Sequence, residues 1–251
     1  MPAGAPSCWN CARLGGDAVK PKRSALFLSV TAEEGGLRGS EYYATHPLIP
    51  AAQTALDLNY DVIYPWGRAK DVVLTGAERT TVWPLAQRMA ARLNLEVSPD
   101  SEPEQGHYFR SDHFSFAHSG VPAFSIGGAT EFAGKPAGYG HEKWVEYNTK
   151  QYHHPADEFQ EDWDFTALAQ AAEYGFLLGR DVANQDKLRI GGRAINSIGN
   201  DGIREGMAYF RFSLSTPWSA LRRLCDAAAC GMRGPHWDRD AGHSRPISDS
   251  R

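Results

Sequence analysis

Two carboxylates stand side by side at Glu33-Glu34, behind the apolar run Ala25-Leu26-Phe27-Leu28-Ser29-Val30 and in front of Gly35-Gly36. Burying an unpaired carboxylate costs many kcal/mol unless a metal or another cation offsets it, so adjacent acids either sit in solvent or hold something. Neighbouring residues at a strand end point to opposite sides, which lets such a pair serve two tasks. Asp61 lies at the end of a second apolar run, as a turn or cap residue or as a further acid for the same place. Tyr152, His153 and His154 add a phenol and two imidazoles in a polar stretch. A histidine in such a stretch is either exposed or a ligand, and His154 is read as surface.

An alternation of strands and helices must position these residues. Ala25–Val30 is apolar on both faces, as in an interior strand of a parallel sheet, and something should precede it. A short helix over Ser40–Thr45, stopped by Pro47 and Pro50, leads to a strand over Ala55–Ile63 and another over Val72–Leu74. From Glu78 to Leu93, Val82, Leu85, Met89 and Leu93 recur at helical spacing with Pro84 in the first turns, and Leu95–Val97 is a further strand. Val121–Ile126 reads as a buried strand ended by Gly127-Gly128. Ala129–Lys150 then reads as a long Gly- and Tyr-rich loop, of a length that is functional or disordered in most compact domains. Asp164 is placed as the cap of a helix running to about Val182, with Leu168, Ala172, Phe176 and Leu177 inward, and Met207–Phe212 is one more strand. The expected class is α/β: a three-layer α/β/α sandwich with a mostly parallel, mixed central sheet, whose strand ends are the place for a ligand.

The boundaries expected are an irregular segment over 1–24, a core over 25–186, and a poorly patterned segment over 187–251 whose tail is expected to be disordered. At 251 residues with 42% hydrophobic content the chain has material for one sizeable core. A net charge of −4 from interspersed acids and bases disfavours nucleic acid and anionic membrane as partners. No apolar run approaches the roughly 18 residues of a membrane span, and the N-terminus lacks a basic segment followed by an apolar stretch. The four cysteines, Cys8, Cys11, Cys225 and Cys230, are read as incidental: the first pair lacks a βαβ setting and the second has the wrong spacing for zinc.

Four segments in order, Thr31-Ala32-Glu33-Glu34-Gly35, Asn59-Tyr60-Asp61, Arg110-Ser111-Asp112-His113-Phe114 and Tyr152-His153 with Pro155 and Asp157, resemble the motifs of the M28 family of zinc aminopeptidases. The 27-residue step from Glu34 to Asp61 suits that family, and the similarity runs from about Ser24 to Asn184. The resemblance implies a phosphorylase/hydrolase-like peptidase core, two zinc ions, and peptides as substrates. It makes Glu33 the general base, Glu34 and His153 ligands of one zinc, Asp61 a ligand of the other, and Tyr152 the phenol that steadies the oxyanion. The chemistry suits hydrolysis, because two zinc ions about 3.5–4 Å apart lower the pKa of a shared water and polarise a carbonyl. Asp112 and His113 are either pocket-side groups or part of a helix cap over Phe114–Ala117. Tyr139, Trp144 and Tyr147 either wall the substrate side chain or pin the loop.

The chain also departs from the family. Its members carry a His-x-Asp segment and a zinc-bridging Asp ahead of the Glu-Glu motif, yet no histidine precedes Glu33, and Asp17 is too close to stand in. The resemblance therefore implies an N-terminally truncated chain with at most one weak zinc site, at Glu34 and His153, and poor hydrolysis. A sheet without its first strands would expose an edge and favour self-association. Two rivals stand beside this reading: a catalytically inactive interaction domain on the same fold, and a zinc acyltransferase of the glutaminyl cyclase kind. Members of the family are often exported, but the compartment of this chain is left open.

Overall fold

A computed structural model of the chain describes residues 21–186 and 209–213. The strands are β1 (Ala25–Phe27), β2 (Thr54–Tyr60), β3 (Asp71–Thr75), β4 (Glu96–Ser98), β5 (Ala123–Ile126) and β6 (Tyr209–Ser213). The α-helices are α1 (Arg38–Thr45), α2 (Trp83–Arg92), α3 (His113–His118), α4 (Tyr139–Lys150) and α5 (Thr166–Asn184). The strands form one sheet in the order β1-β6-β2-β5-β3-β4, with β3 antiparallel to β5 and every other pairing parallel. This is the mixed α/β sheet expected from the alternation of elements. The cysteines and the tail from Thr216 lie outside the described residues.

Burial explains the layers. All seven residues of β2 and all four of β5 are buried, polar Thr54, Asp57, Asn59 and Ser125 included, as in a sheet covered on both faces. On one face α2 and α5 close the main core, in which Leu56, Leu58, Tyr60, Phe124 and Ile126 meet Met89, Leu168, Tyr174 and Leu178. On the other, α3 contributes Phe116 to a smaller cluster with Val121 and Ala123, against which Tyr43 and Ala44 of α1 pack. Leu168 and Ala172 face inward on α5 as expected, while Phe176 and Leu177 are only partly buried at its margin. Asp164 supports the first turn of α5, its Oδ1 accepting from the Thr166 amide at 2.9 Å and from the Thr166 hydroxyl.

Two expectations are corrected. Residues 139–150 are not loop but the helix α4, whose apolar spacing is too sparse to announce it. Lys143 and Lys150 bracket Glu146 at 2.9 and 3.2 Å, and these three- and four-residue steps put opposite charges on one helical face. Of the run Ala25–Val30, only Ala25–Phe27 is strand. Among the described residues β1 pairs only with β6, stands at the edge of the sheet and leaves Phe27 40% exposed. The strand expected near Met207–Phe212 is β6, lying between β1 and β2 and parallel to both.

One close approach fixes how α5 sits on the sheet. A Cβ on Gly175 would lie 1.7 Å from the Tyr60 hydroxyl oxygen, and that hydroxyl is held because it donates to the Ala171 carbonyl at 3.2 Å. The buried Tyr60 ring has nowhere to retreat. Gly175→Ala is therefore expected to destabilise the fold by about 1–3 kcal/mol by overpacking, outweighing the gain of roughly 1 kcal/mol in helix propensity. Chemical denaturation of the variant checks this, and an unchanged or raised midpoint would refute the packing account.

Candidate active site

The first acids are delivered by a tight turn between β1 and α1. The Glu33 carbonyl accepts from the amides of Gly36 at 2.9 Å and Leu37 at 2.8 Å, and the Thr31 carbonyl accepts from the Gly39 amide at 3.0 Å. Gly39 must lack a side chain, since a Cβ there would lie 2.3 Å from that carbonyl oxygen. Ala32, directly before the acids, has φ 57°, a left-handed conformation that costs a non-glycine residue roughly 1–2 kcal/mol. His153 has φ 60°. Strained backbone thus flanks the acids on one side and forms the imidazole position on the other, a distribution common at functional sites.

Asp61 follows the last residue of β2, at the carboxyl end of the parallel strands. Its Oδ2 accepts from the Ser111 hydroxyl at 2.9 Å, and Ser111 Oγ in turn accepts from Asn59 Nδ2 at 2.8 Å. Asn59 is buried in β2, and the chain Asn59–Ser111–Asp61 sets where the Asp61 carboxyl points. Ser111 and Asn59 are the residues whose roles the sequence reading missed. The one signal in the sequence is a polar residue two positions before Asp61 in an apolar run.

The last pieces come from the turn after α4. His153 Nε2 lies 2.5 Å from Glu34 Oε1, joining residues 119 positions apart. Tyr152 stacks on the His153 ring with centroids 3.8 Å apart and leans on Tyr147 at 5.9 Å, whose hydroxyl donates to Asp157 at 3.0 Å. Tyr147 meets the edge of Tyr64, which stacks on Trp66 at 4.1 Å. Tyr147 is therefore a pin, whereas Trp144 lines the cleft and Tyr139 packs on Phe132 and the core. His154 is exposed, as expected.

Glu33, Glu34, Asp61 and Tyr152 line one open cleft of about 880 Å³. Half-burial, followed by the charges of Asp61, Glu34 and Asp112, pushes the Glu33 carboxyl up to about 8, and only Arg110 opposes them. Burial also raises Asp61, against the lowering effect of the Ser111 hydrogen bond. Tyr152 is pushed up to about 12 by burial and by Glu34, Asp61 and Glu33, so its phenol remains a proton donor at neutral pH.

Carboxylate and imidazole are zinc-type donors, and Glu34 and His153 already touch. A catalytic zinc takes three protein ligands, however, and no group of three or more His, Cys, Asp or Glu among the described residues is placed to hold a metal ion. Glu34 and His153 therefore supply two of the three protein ligands that a catalytic zinc takes, and no third is grouped with them among the described residues. None of the described helices is long and apolar enough to cross a membrane.

Comparison with known proteins bears on this arrangement. The sequence profile of Peptidase family M28 matches residues 3–175, more than half of the chain. The chain belongs to peptidase family M28. Among solved structures, an aminopeptidase from Aneurinibacillus sp. strain AM-1 is similar at 20% sequence identity with a TM-score of 0.40, over 72% of this chain and 35% of that one. The present chain thus spans about a third of the length of that enzyme. No curated protein matches the sequence.

The M28 motif around Ser111 takes neither of its expected forms in full. Asp112 and His113 are buried at 2% and 0% exposure and do not line the cleft, and no side-chain cap bond forms at the start of α3. Neither ring nitrogen of His113 has a hydrogen-bond partner, and full burial lowers the imidazole to about 3 from 6.5. The ring is neutral in the folded protein, while the unfolded chain takes up a proton below about pH 6.5, so His113 costs stability increasingly as pH falls from 6.5 towards 3. Replacing it by leucine is expected to widen the stability gap in favour of the variant by roughly 2–3 kcal/mol between pH 7 and pH 4.5. Denaturant titrations at the two pH values measure the gap, and parallel changes would refute the assignment.

Proposed function

We propose that the cleft removes N-terminal residues from peptides, with Glu33 accepting the proton of the attacking water and Tyr152 donating a hydrogen bond to the oxyanion. The observation that carries this reading is the meeting of Glu33, Glu34, Asp61 and Tyr152, from three separate segments, in one cleft of a chain of the M28 peptidase family. The substrate amine is a cation suited to the surplus of carboxylates, and Trp66 and Trp144 offer an apolar wall to the first side chain.

The same reading includes impairment. Zinc, when bound, would supply the Lewis acid that activates water, and Glu34 and His153 are the residues that would hold it. Two protein ligands hold zinc weakly. The scarcity of grouped ligands also favours a second reading, an inactive interaction domain, whereas a base-like Glu33 facing the cleft favours the enzyme. The acyltransferase reading has no comparable support.

Calorimetric titration of the full chain with zinc is expected to show at most one site, too weak for a sharp transition; two tight sites per chain would overturn the impairment. Turnover of leucine nitroanilide is expected to be slow, abolished by a chelator, and reduced about 100-fold or more by Glu33→Gln. Turnover that is indifferent to Glu33→Gln would overturn the assignment of the base, and no turnover at any zinc concentration would favour the interaction domain.

A further inference from the structure

Glu33, Glu34 and Asp61 share their cleft with side chains of the segment over residues 100–110, among them Asp100, His107 and Arg110. Arg110 is the one arginine among the cleft-lining residues, and no lysine lines it. Among the described residues its guanidinium forms no ion pair. Its Nη1 donates to the Gln105 carbonyl at 3.5 Å, the limit of hydrogen bonding, so most of the donor fork is uncommitted among the described residues. The Arg110 charge is nevertheless felt at Glu33 and Tyr152, with which it shares the cleft.

His107 lines the same cleft. Its Nδ1 lies 3.1 and 3.0 Å from the two oxygens of Asp100, so the carboxylate orients the ring from behind and leaves Nε2 as the nitrogen not used by Asp100. Asp100 is itself fixed by accepting from the Glu102 amide at 3.0 Å. A peptide whose amine lies among the strand-end carboxylates would bring its next residue into the cleft that Arg110 also lines, where the guanidinium lacks an ion pair among the described residues.

We propose that Arg110, assisted by His107, binds a carboxylate carried by the residue after the scissile bond, so that the site prefers dipeptides with a free C-terminus or longer peptides with Asp or Glu in second place. The guanidinium fork matches a carboxylate in a way that a neutral amide cannot. This preference rests on the peptidase reading for the class of ligand, but it is a binding property and needs no turnover.

The test is calorimetric binding of Leu-Gly, Leu-Gly-amide and Leu-Glu-amide to the full chain. At least one carboxylate peptide is expected to bind about tenfold or more tighter than Leu-Gly-amide, with the difference shrinking at high salt. A gain confined to Leu-Gly assigns the terminal carboxylate, and one confined to Leu-Glu-amide assigns the acidic side chain. Arg110→Gln is expected to remove the advantage, Arg110→Lys to restore part of it, and His107→Gln to reduce it. Equal binding of acid and amide, binding of none of the three, or an Arg110→Gln loss as large for Leu-Gly-amide as for Leu-Gly overturns the proposal. Absence of nitroanilide turnover alongside a retained carboxylate preference would instead count against the peptidase reading alone.

Discussion

Mutual repulsion among carboxylates at the carboxyl end of the sheet is the constraint around which the site is built. Glu33 feels Asp61, Glu34 and Asp112 while half-buried, an environment in which like charges are poorly screened. Each accessible acid of the group has a local answer. Asp61 receives the Ser111 hydroxyl, Glu34 meets the His153 ring, and Glu33 is opposed by Arg110. The answers differ in kind: a neutral hydrogen bond, an imidazole contact and a distant positive charge. The acids consequently remain distinct in chemistry although they share one cleft.

Holding those answers in place requires support from outside the acid cluster. The left-handed residues Ala32 and His153 fix the backbone on either side, and Asp157, Tyr147, Tyr64 and Trp66 form a line of hydrogen bonding and ring packing behind Tyr152 and His153. On the opposite side the Asn59–Ser111 pair ties the end of β2 to the segment preceding α3. The cleft is thus walled by elements that are far apart in sequence.

Much of the fold was legible along the chain. β2 and β5 are short segments rich in large apolar residues, and such segments fit a covered sheet. The end of β2 just before Asp61 and the start of α5 close behind Asp164 follow from local pattern and capping chemistry. α4 was not legible, because it is held by charge pairs on an exposed face and by a few aromatic contacts rather than by an apolar stripe. The same limit applies to β1: its composition is that of a buried strand, but exposure depends on which neighbours pair with it. At the site, Glu33, Glu34, Asp61 and Tyr152 could be named from residue type and order. The buried state of Asp112 and His113 could not, since a polar pair before a helix reads equally well as a cap.

By itself the sequence determined the class of fold, the supply of carboxylates, phenol and imidazole, and membership of the M28 family, because strand and helix periodicity and motif order are properties of short stretches. Only the tertiary structure decided that Glu34 meets His153, that Ser111 serves Asp61 instead of capping a helix, and that Arg110 lines the same cleft as the acids. The physical reason is range. Charge repulsion, desolvation and hydrogen bonding act over a few ångströms, and residues 119 positions apart come within that range only when the sheet and its covering helices bring them there.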